Sequence, residues 1–247
     1  MSLEKLRQRI KTLPVLGLWL EDAWRWATGR SNLTHRLLRS RSIPRDGLVM
    51  KIGANDASTG DPIAQLLLRL PGTRCVFVEP VPHLLERARL RWGAGERFRF
   101  VNAVVGDRKG ICDFFFVDAA AAAGIALDFD PEQIGSLDRA HILKHDARLA
   151  PFVRTIQVPA VVLSELLVQH GVPDLLHIDA EGADWLILSQ LDLCRFRPAH
   201  IIVEHIHLGD AEKQQLRERF TASYRIEQFG TDWLLTLQPL RSDHPHG

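Results

Sequence analysis

Short apolar segments that end at a polar or glycine residue recur from Leu48 onward, with helix-like segments between them. Five of these segments fit buried strands, and the residues at their ends are Gly53, Glu79, Asn102, Asp179 and Glu204. Apolar strands that alternate with helices are typical of a mostly parallel sheet covered on both faces. Such sheets bind ligands beyond the carboxyl ends of their strands. We therefore expect a doubly wound, mostly parallel α/β sheet of seven strands, with a binding site near these five residues.

The segments between the strands carry helix signals. Asp61 is a good N-cap and Pro62 suits a first helical turn, and Ser164 can cap a helix that ends at Gly171. The other predicted elements are helices 82–92, 183–191 and 211–220, extra strands 111–117 and 155–159, and strands 224–229 and 233–237. The last two strands are expected to pair antiparallel at one edge of the sheet.

The segment 119–150 interrupts this alternation. It opens with an alanine run and includes Phe129, Asp130, His141 and His145. A connection of this length inside a compact domain is usually a lid, a binding loop or disordered chain. We interpret it as an insertion that faces the substrate.

Charge divides the chain near residue 45. Residues 1–45 hold ten Lys/Arg and three Asp/Glu, a net +7, so the remainder carries −6 within a total of +1. A near-neutral chain argues against a general nucleic-acid binder, which needs a basic surface for phosphate contacts. We predict a basic N-terminal helical extension over 1–45, a ligand-binding domain over 46–240 and a flexible tail over 241–247.

The extension contains an apolar stretch from Leu13 to Leu20 that is interrupted by Pro14. This stretch is too short to span a bilayer and no small-residue cleavage site follows it, so neither a transmembrane helix nor a signal peptide is predicted. Apolar residues at helical spacing favour an accessory helix that docks on the domain. Contact with an anionic membrane surface and a homodimer contact both stay open for this extension.

Three cysteines, Cys75, Cys112 and Cys194, lie far apart in the sequence. Their number and spacing indicate neither a disulfide framework nor a zinc knuckle. Small buried thiols in a reducing compartment are the expected case. We therefore predict a cytoplasmic protein, with peripheral attachment to a membrane as the second possibility.

The first strand runs into the turn Gly53-Ala54-Asn55, where the missing Cβ of glycine lets a ligand approach the backbone. A dinucleotide-binding turn would carry Gly-x-Gly-x-x-Gly at the start of a helix. Only Gly53 is present here, and Ala57 occupies a later small position, which weakens the case for a nicotinamide-dependent oxidoreductase. By itself the turn also fits a strand-to-helix connection that binds nothing.

Glu79 closes the second strand. An acid at this point accepts hydrogen bonds from vicinal ribose hydroxyls in nucleotide-binding α/β folds. It could instead be a surface acid that caps the following helix. Because the glycine turn lies one strand–helix unit earlier, we predict the ribose role for Glu79.

Three carboxylates, those of Asp179, Glu181 and Asp184, follow the strand that ends at Ile178. They could stabilise a cation, take a proton from a hydroxyl or hold a divalent metal. Alternatively, Glu181 and Asp184 stabilise a helix N-terminus through its dipole. We predict a functional role for Asp179 and leave both roles open for Asp184.

Glu204 is followed by His205-Ile206-His207, in which the two histidines point the same way if the strand continues. Such a pair could ligate zinc, and histidine is also a suitable general base near neutral pH. No third ligand is identifiable in the sequence, so no residue is assigned to a metal. We expect His205 to lie near the substrate and His207 to be structural.

Taken in order, these elements resemble the FkbM-type methyltransferase family. The matching segments are 52–56, 78–80, 101–107, 178–184 and 203–205. Asp61-Pro62 also resembles a branch of that family in which the first motif continues into an Asp-Pro pair. The resemblance covers about residues 48–237.

The resemblance implies a class I methyltransferase domain over 46–240 that binds S-adenosylmethionine and methylates a hydroxyl of a sugar or secondary metabolite, so the partner would be a small-molecule or glycan acceptor. It implies that the cofactor is bound by Gly53, Ala54, Asn55, Glu79, Asn102 and Asp179. A hydroxyl needs a base or a metal to share its proton. The catalytic candidates are Asp179 and His205, with Glu181 behind them. Magnesium assistance stays open, although no ligand set indicates it.

Two residues depart from the family pattern. Ala57 stands where the family usually has glycine, which would crowd the cofactor turn, and Lys51 stands where it often has an acid or amide. These departures keep open a catalytically silent methyltransferase-like module that binds a partner or a membrane. A nicotinamide-dependent oxidoreductase also stays open, as does a metal hydrolase that uses Asp179, Glu204, His205 and His207.

Overall fold

A computed structural model describes residues 33–40, 42–58, 61–93 and 95–239. Most of the predicted extension, residues 1–32, and the predicted tail over 241–247 lie outside the described residues. Within the described ranges, no helix is long and apolar enough to cross a membrane.

Strands and helices alternate along the described chain, as predicted. The helices are α1 (Leu33–Ser40), α2 (Pro62–Arg69), α3 (Pro82–Trp92), α4 (Arg139–His145), α5 (Leu163–His170), α6 (Asp184–Leu188) and α7 (Asp210–Phe220). The strands are β1 (Leu48–Ile52), β2 (Arg74–Val78), β3 (Phe98–Val101), β4 (Val104–Val105), β5 (Gly110–Val117), β6 (Gly135–Ser136), β7 (Val153–Val161), β8 (Leu175–Ile178), β9 (His200–Glu204), β10 (Tyr224–Phe229) and β11 (Asp232–Leu237). Short 3-10 helices occupy Pro131–Gln133 and Ala147–Phe152.

The main sheet has seven strands in the order β10-β11-β9-β8-β1-β2-β3. The pairs among β9, β8, β1, β2 and β3 are parallel, whereas β11 pairs antiparallel with both β9 and β10. The predicted antiparallel edge is therefore confirmed. It also makes the sheet mixed, so the prediction of a mostly parallel sheet is not confirmed in that form.

β1 lies inside this sheet, between β8 and β2, and all five of its residues are buried. Met50 and Ile52 belong to an apolar core that also contains residues of α5, α6 and α7. Val49 belongs to a second core with residues of α1, α2 and α3. Because alternate strand residues point to opposite faces, one apolar strand supplies both cores and helices cover both faces of the sheet.

A second sheet, in the order β4-β7-β5-β6, contains the two strands predicted as extra. β5 and β7 pair antiparallel over most of their length, and β6 adds to β5 from within the 119–150 insertion. The insertion is thus structured, with its own apolar cluster that includes Ile134, Ile142 and Leu149. The sequence did not reveal α4, because its seven residues are too few to show a helical period.

Lys51 is the one charged residue of β1, and its side chain is only 2% exposed. Its Nζ lies 3.0 Å from Asp179 Oδ2 and 3.3 Å from Asp61 Oδ2. Asp61 also caps α2, since its Oδ1 accepts a hydrogen bond from the Ile63 amide at 2.7 Å. Burial acts to lower the pKa of Lys51, but the two carboxylates outweigh burial and raise the pKa above its usual value. The lysine that departs from the family pattern is therefore a paired, charged residue inside the sheet.

We expect Lys51→Met to lower the free energy of unfolding by about 3 kcal/mol, because it leaves Asp179 and Asp61 without their buried cation. Lys109→Met is the matched control: its ammonium pairs with Glu165 at the surface and its side chain is 65% exposed. This control should change stability by less than about 1 kcal/mol. Urea denaturation measures both, and equal stability of the two variants would contradict the structural role of Lys51.

Candidate functional site

A cavity of about 480 Å³ lies at the carboxyl ends of the central strands. This volume is within the range of about 300–1,000 Å³ that is typical of small-molecule sites. Its walls come from the turn after β1, the ends of β2, β8 and β9, the second sheet and the insertion. Of the residues singled out in the sequence, it is lined by Gly53, Ala54, Asn55, Glu79, Asp179, Glu181 and Glu204.

Two of the predicted site residues, Asn102 and His205, are not among the residues that line this cavity. The Asn102 amide donates hydrogen bonds to the backbone oxygens of Glu79 and Pro80, at 2.9 and 2.8 Å. It therefore fixes the chain just after β2. The His205 ring stacks on Trp233 with a centroid separation of 4.9 Å, and its Nε2 lies 3.2 Å from the Gly230 carbonyl oxygen.

Gly53 brings the turn after β1 against the segment after β8. It has a φ of 74°, and a Cβ at this position would lie 1.7 Å from the Asp179 carbonyl oxygen. The amides of Gly53 and Ala54 both donate to the carbonyl oxygen of Val78 at 3.0 Å. Only glycine fits here, because a side chain would separate two walls of the cavity.

Asn55 and Ala57 continue the turn in the left-handed region, with φ of 50° and 49°. Asparagine tolerates this conformation, whereas alanine pays roughly 1–2 kcal/mol for it. Ala57 is held there by a hydrogen bond from the Trp92 indole to its carbonyl oxygen at 3.1 Å. The residue that departs from the family pattern thus adopts the backbone conformation that glycine favours. The Asn55 side-chain amide donates to the Glu132 carbonyl oxygen at 3.0 Å and so ties the turn to the insertion.

Glu79 is buried and holds the turn from the β2 side. Its Oε2 accepts from the Asn55 backbone amide at 2.7 Å, and its Oε1 accepts from the Val81 amide at 2.9 Å. Burial raises the pKa of Glu79 to about 7, against the opposing effect of these backbone hydrogen bonds. Each carboxylate oxygen has a second lone pair that can serve a ligand.

Asp179 lies at the tip of β8 with its side chain 39% exposed. Burial acts to raise the pKa of Asp179, but Lys51 and the neighbouring histidines outweigh burial and hold the pKa below its usual value. Asp179 is therefore a carboxylate at neutral pH, with one oxygen fixed by the Lys51 ammonium. It can accept a hydrogen bond or a proton from a group in the cavity.

Asp184 does not line the cavity but supports the segment that does. Its side chain is buried, and its two oxygens accept hydrogen bonds from the Ala180 and Gly182 amides at 3.0 and 3.2 Å. Burial raises the pKa of Asp184 to about 7. Asp184, the first residue of α6, thus holds the segment before that helix through these two hydrogen bonds.

Two further carboxyl groups face this end of the cavity, those of Glu204 and Asp232. Burial, followed by the charges of Asp179 and Glu181, raises the pKa of Glu204 to about 9. Burial and Asp179 raise the pKa of Asp232 to about 6. Asp232 begins β11 and lies opposite Glu204 of β9. No sequence motif pointed to Asp232, because only this strand pairing brings it to the cavity. A protonated Glu204 can donate a hydrogen bond, while Asp179 can only accept.

Glu181 lies next to three histidines at the edge of the cavity. Its Oε2 lies 3.6–3.7 Å from the Nε2 atoms of His141, His145 and His207. Burial lowers the pKa of His207 against the opposing charge of Glu181. β9 ends at Glu204 and the chain turns there, so the condition under which His205 and His207 would point the same way is not met.

Among the residues that the structure describes, two sets of side chains could hold a metal ion. One consists of His141, His145, Glu181 and His207, and the other of Asp179, Glu181 and Glu204. Within each set the ligand atoms lie within 4.8 Å of one another. The first set offers nitrogen and oxygen, whereas the second offers oxygen alone, which suits magnesium or calcium.

Solved structures resemble the chain only weakly. A chain of the fibrillarin/Nop5p complex has 10% identity and a TM-score of 0.38, and the match covers 79% of this chain and 73% of that one. A TehB-like SAM-dependent methyltransferase from Corynebacterium glutamicum has 13% identity and a TM-score of 0.35, with 88% and 94% covered. No curated protein matches the sequence.

A family model gives a match over most of the chain. It is the model described as the methyltransferase FkbM domain, and it covers residues 51–237. The matched region begins at Lys51 in β1 and ends at Leu237, the last residue of β11. It therefore contains the whole cavity wall formed by the strand ends and the insertion. The resemblance noted in the sequence is confirmed, and the chain belongs to the FkbM family of methyltransferases.

Proposed function

We propose that this chain is an S-adenosylmethionine-dependent O-methyltransferase that modifies a hydroxyl group of a sugar or a secondary metabolite. The observation that carries the proposal is the cavity in which the Gly53 turn and Glu79 lie side by side at the strand ends. In open α/β sheets this is the place where nucleotide-like ligands bind. Membership in a methyltransferase family supplies the reaction class.

The residues fit such a cofactor. Glu79 has a free lone pair on each oxygen for the two ribose hydroxyls, while the turn at Gly53 and Ala54 leaves room close to the backbone. Asn102 contributes indirectly, because it holds the backbone around Glu79 and Pro80. The bound cofactor would supply a methyl group on a sulfonium, so the chain itself needs only to place an acceptor oxygen in line with it and remove a proton.

Asp179 is our candidate for the proton acceptor. A hydroxyl oxygen that has taken a methyl group is strongly acidic, so a carboxylate with a lowered pKa can still accept its proton. Lys51 holds one oxygen of Asp179 and leaves the other available to the cavity. We do not place His205 in this role, since its ring packs on Trp233. Glu181 points its Oε2 at three imidazoles instead.

The acceptor chemistry follows from the carboxyl groups that share this end of the cavity. Asp179 accepts hydrogen bonds, and Glu204, with a pKa raised to about 9 by burial, donates one at neutral pH. A hydroxyl both donates and accepts. A polyhydroxylated acceptor such as a sugar therefore suits this surface better than an apolar one.

Calorimetry tests the cofactor assignment first. Glu79→Ala should weaken S-adenosylmethionine binding at least about tenfold, because a buried charge-assisted hydrogen bond is lost. Glu86→Ala, on the exposed side of α3, is the matched control and should bind as the wild type does. Circular dichroism of both variants checks that the fold is retained.

A folded wild-type protein that binds no S-adenosylmethionine would overturn the proposal. Tight binding of a nicotinamide cofactor instead would favour an oxidoreductase. If Glu79→Ala binds S-adenosylmethionine as tightly as the wild type does, the cofactor does not contact Glu79.

The pH dependence of adenosine binding tests Glu79 directly. Adenosine has the ribose hydroxyls and no group that titrates near neutrality. Because ribose hydroxyls donate to the ionised carboxylate, affinity should rise as pH increases through about 7, the pKa to which burial raises Glu79, and level off above it. Glu79→Gln cannot ionise and should show a flat profile. The same rise in Glu79→Gln would contradict the assignment.

Asp179→Asn tests the assignment of the proton acceptor. Methyl transfer from radiolabelled cofactor by the wild type is first screened against a panel of sugars and secondary metabolites. For an acceptor found in this way, the rate should fall by about 10²–10⁴-fold, the usual contribution of a positioned base. The rate is measured at saturating cofactor, because the family resemblance also counts Asp179 among the cofactor-binding residues. Asp113→Asn, at an exposed position of β5, is the control. Cofactor binding by the wild type without transfer to any hydroxylated acceptor would favour the catalytically silent module.

A further inference from the structure

We propose that His141, His145, His207 and Glu181 bind a divalent transition-metal ion, and that zinc is the ion that fits them best. This inference stands apart from methyl transfer. It concerns a cluster that three separate segments of the chain build at the rim of the cavity: α4 of the insertion, the segment after β8 and the segment after β9.

α4 supplies two ligands from one face. His141 and His145 are four residues apart, so their side chains lie one turn apart on the same side of the helix. Their Nε2 atoms lie 3.4 Å from each other. The ring of His207 completes the group, with its centroid 4.9 Å from that of His141 and 5.4 Å from that of His145.

Glu181 provides the fourth ligand atom. Its Oε2 is 3.6 Å from the Nε2 of His141 and 3.7 Å from those of His145 and His207. Zinc in a tetrahedral site has bonds of about 2.0–2.2 Å, which places neighbouring ligand atoms about 3.3–3.5 Å apart. The three distances from Glu181 Oε2 need to shorten by only a few tenths of an ångström to match this geometry.

Hydrogen bonding within the cluster leaves one oxygen of Glu181 without a partner. The Glu181 Oε2 atom is buried, and no described residue donates a hydrogen bond to it. Three imidazolium groups around one carboxylate would repel one another, while three neutral imidazoles would leave that oxygen without a charged partner. A metal ion at the centre would satisfy the carboxylate and all three neutral nitrogens together.

The backbone around the cluster is shaped to hold these rings. Gly182 has a φ of 92°, and a Cβ there would lie 2.8 Å from His141 Nδ1, so the glycine makes room for the imidazole. Glu181 itself has a φ of 46°, and its carbonyl oxygen accepts a hydrogen bond from the Ser136 hydroxyl at 3.0 Å. This bond joins the insertion to the Glu181 segment beside the metal ligands.

Three imidazoles and one carboxylate select the kind of ion. Nitrogen ligands suit zinc and its neighbours in the first transition row, while magnesium and calcium prefer oxygen alone. Four protein ligands complete a tetrahedral shell, which is the pattern of a structural zinc site. The ion would therefore fasten α4 of the insertion onto the ends of β8 and β9, next to the wall that Glu181 contributes to the cavity.

Metal titration of the untagged full chain, after dialysis against a chelator, tests the proposal without cofactor or acceptor. We expect one equivalent of zinc to bind with sub-micromolar affinity and to raise the melting temperature. Cobalt(II) in the same site should give the intense visible absorption of tetrahedral coordination. His145→Ala and Glu181→Gln should each weaken zinc binding by about 100-fold or more.

Matched histidine variants control for other zinc ligands. His83→Ala and His205→Ala change histidines outside the cluster, and a double replacement of His244 and His246 changes two that lie outside the described residues. All three should retain the wild-type affinity. X-ray absorption of the zinc-loaded wild type, which depends on no variant, should report three imidazole ligands.

The proposal fails if the folded wild type binds no zinc. It fails equally if His145→Ala binds zinc as tightly as the wild type, or if the absorption spectrum shows oxygen ligands alone. The last outcome, together with magnesium binding, would indicate the set formed by Asp179, Glu181 and Glu204 instead. Since none of these measurements involves methyl transfer, failure here leaves the proposed enzymatic function to its own tests.

Discussion

A single ammonium group in the middle of the sheet sets the arrangement of the site. Lys51 is buried in β1, and a buried charge must be paired to be tolerated. Its two carboxylate partners come from separate segments, Asp179 from the end of β8 and Asp61 from the start of α2. Pairing this charge therefore brings both segments to the carboxyl end of β1. The contacts that make the charge tolerable also place Asp179 at the cavity.

The charge of Lys51 also gives two neighbouring acids, Asp179 and Glu204, different protonation states. Lys51 keeps Asp179 ionised, and the negative charge of Asp179 then adds to burial in raising the pKa of Glu204 to about 9. Two carboxyl groups in one cavity thus have opposite hydrogen-bonding character, since one accepts and the other donates. Environment rather than residue type produces this division, as in enzymes that assign two acids to different tasks.

The sequence predicted those features that depend on local pattern. Buried strands are recognisable in the sequence as apolar runs, and the carboxyl ends of parallel strands meet at one edge of a sheet. Gly53, Glu79 and Asp179 follow such strands, and all three line the cavity. Features that depend on contacts between distant segments could not be predicted. His141 and His207 belong to separate segments, and no sequence pattern predicts that these segments meet. The helix α4, which carries His141, is also too short to show a helical period in the sequence. The packing of His205 on Trp233 in β11 is likewise a contact between segments that the sequence pattern does not connect.

The order of the strands has a consequence for the newly made chain. β2 follows β1 closely, but β8, the other neighbour of β1, is synthesised much later. The Leu48 amide donates a hydrogen bond to the side chain of Asp174, which lies 126 residues further along the chain. Until then one edge of an apolar strand lies open, and open edges invite pairing with other chains. Lys51, in the second half of that strand, is the kind of charge that discourages such pairing. The lysine that pairs with the cavity acids is therefore also the only charge on that strand while its second edge is still unpaired.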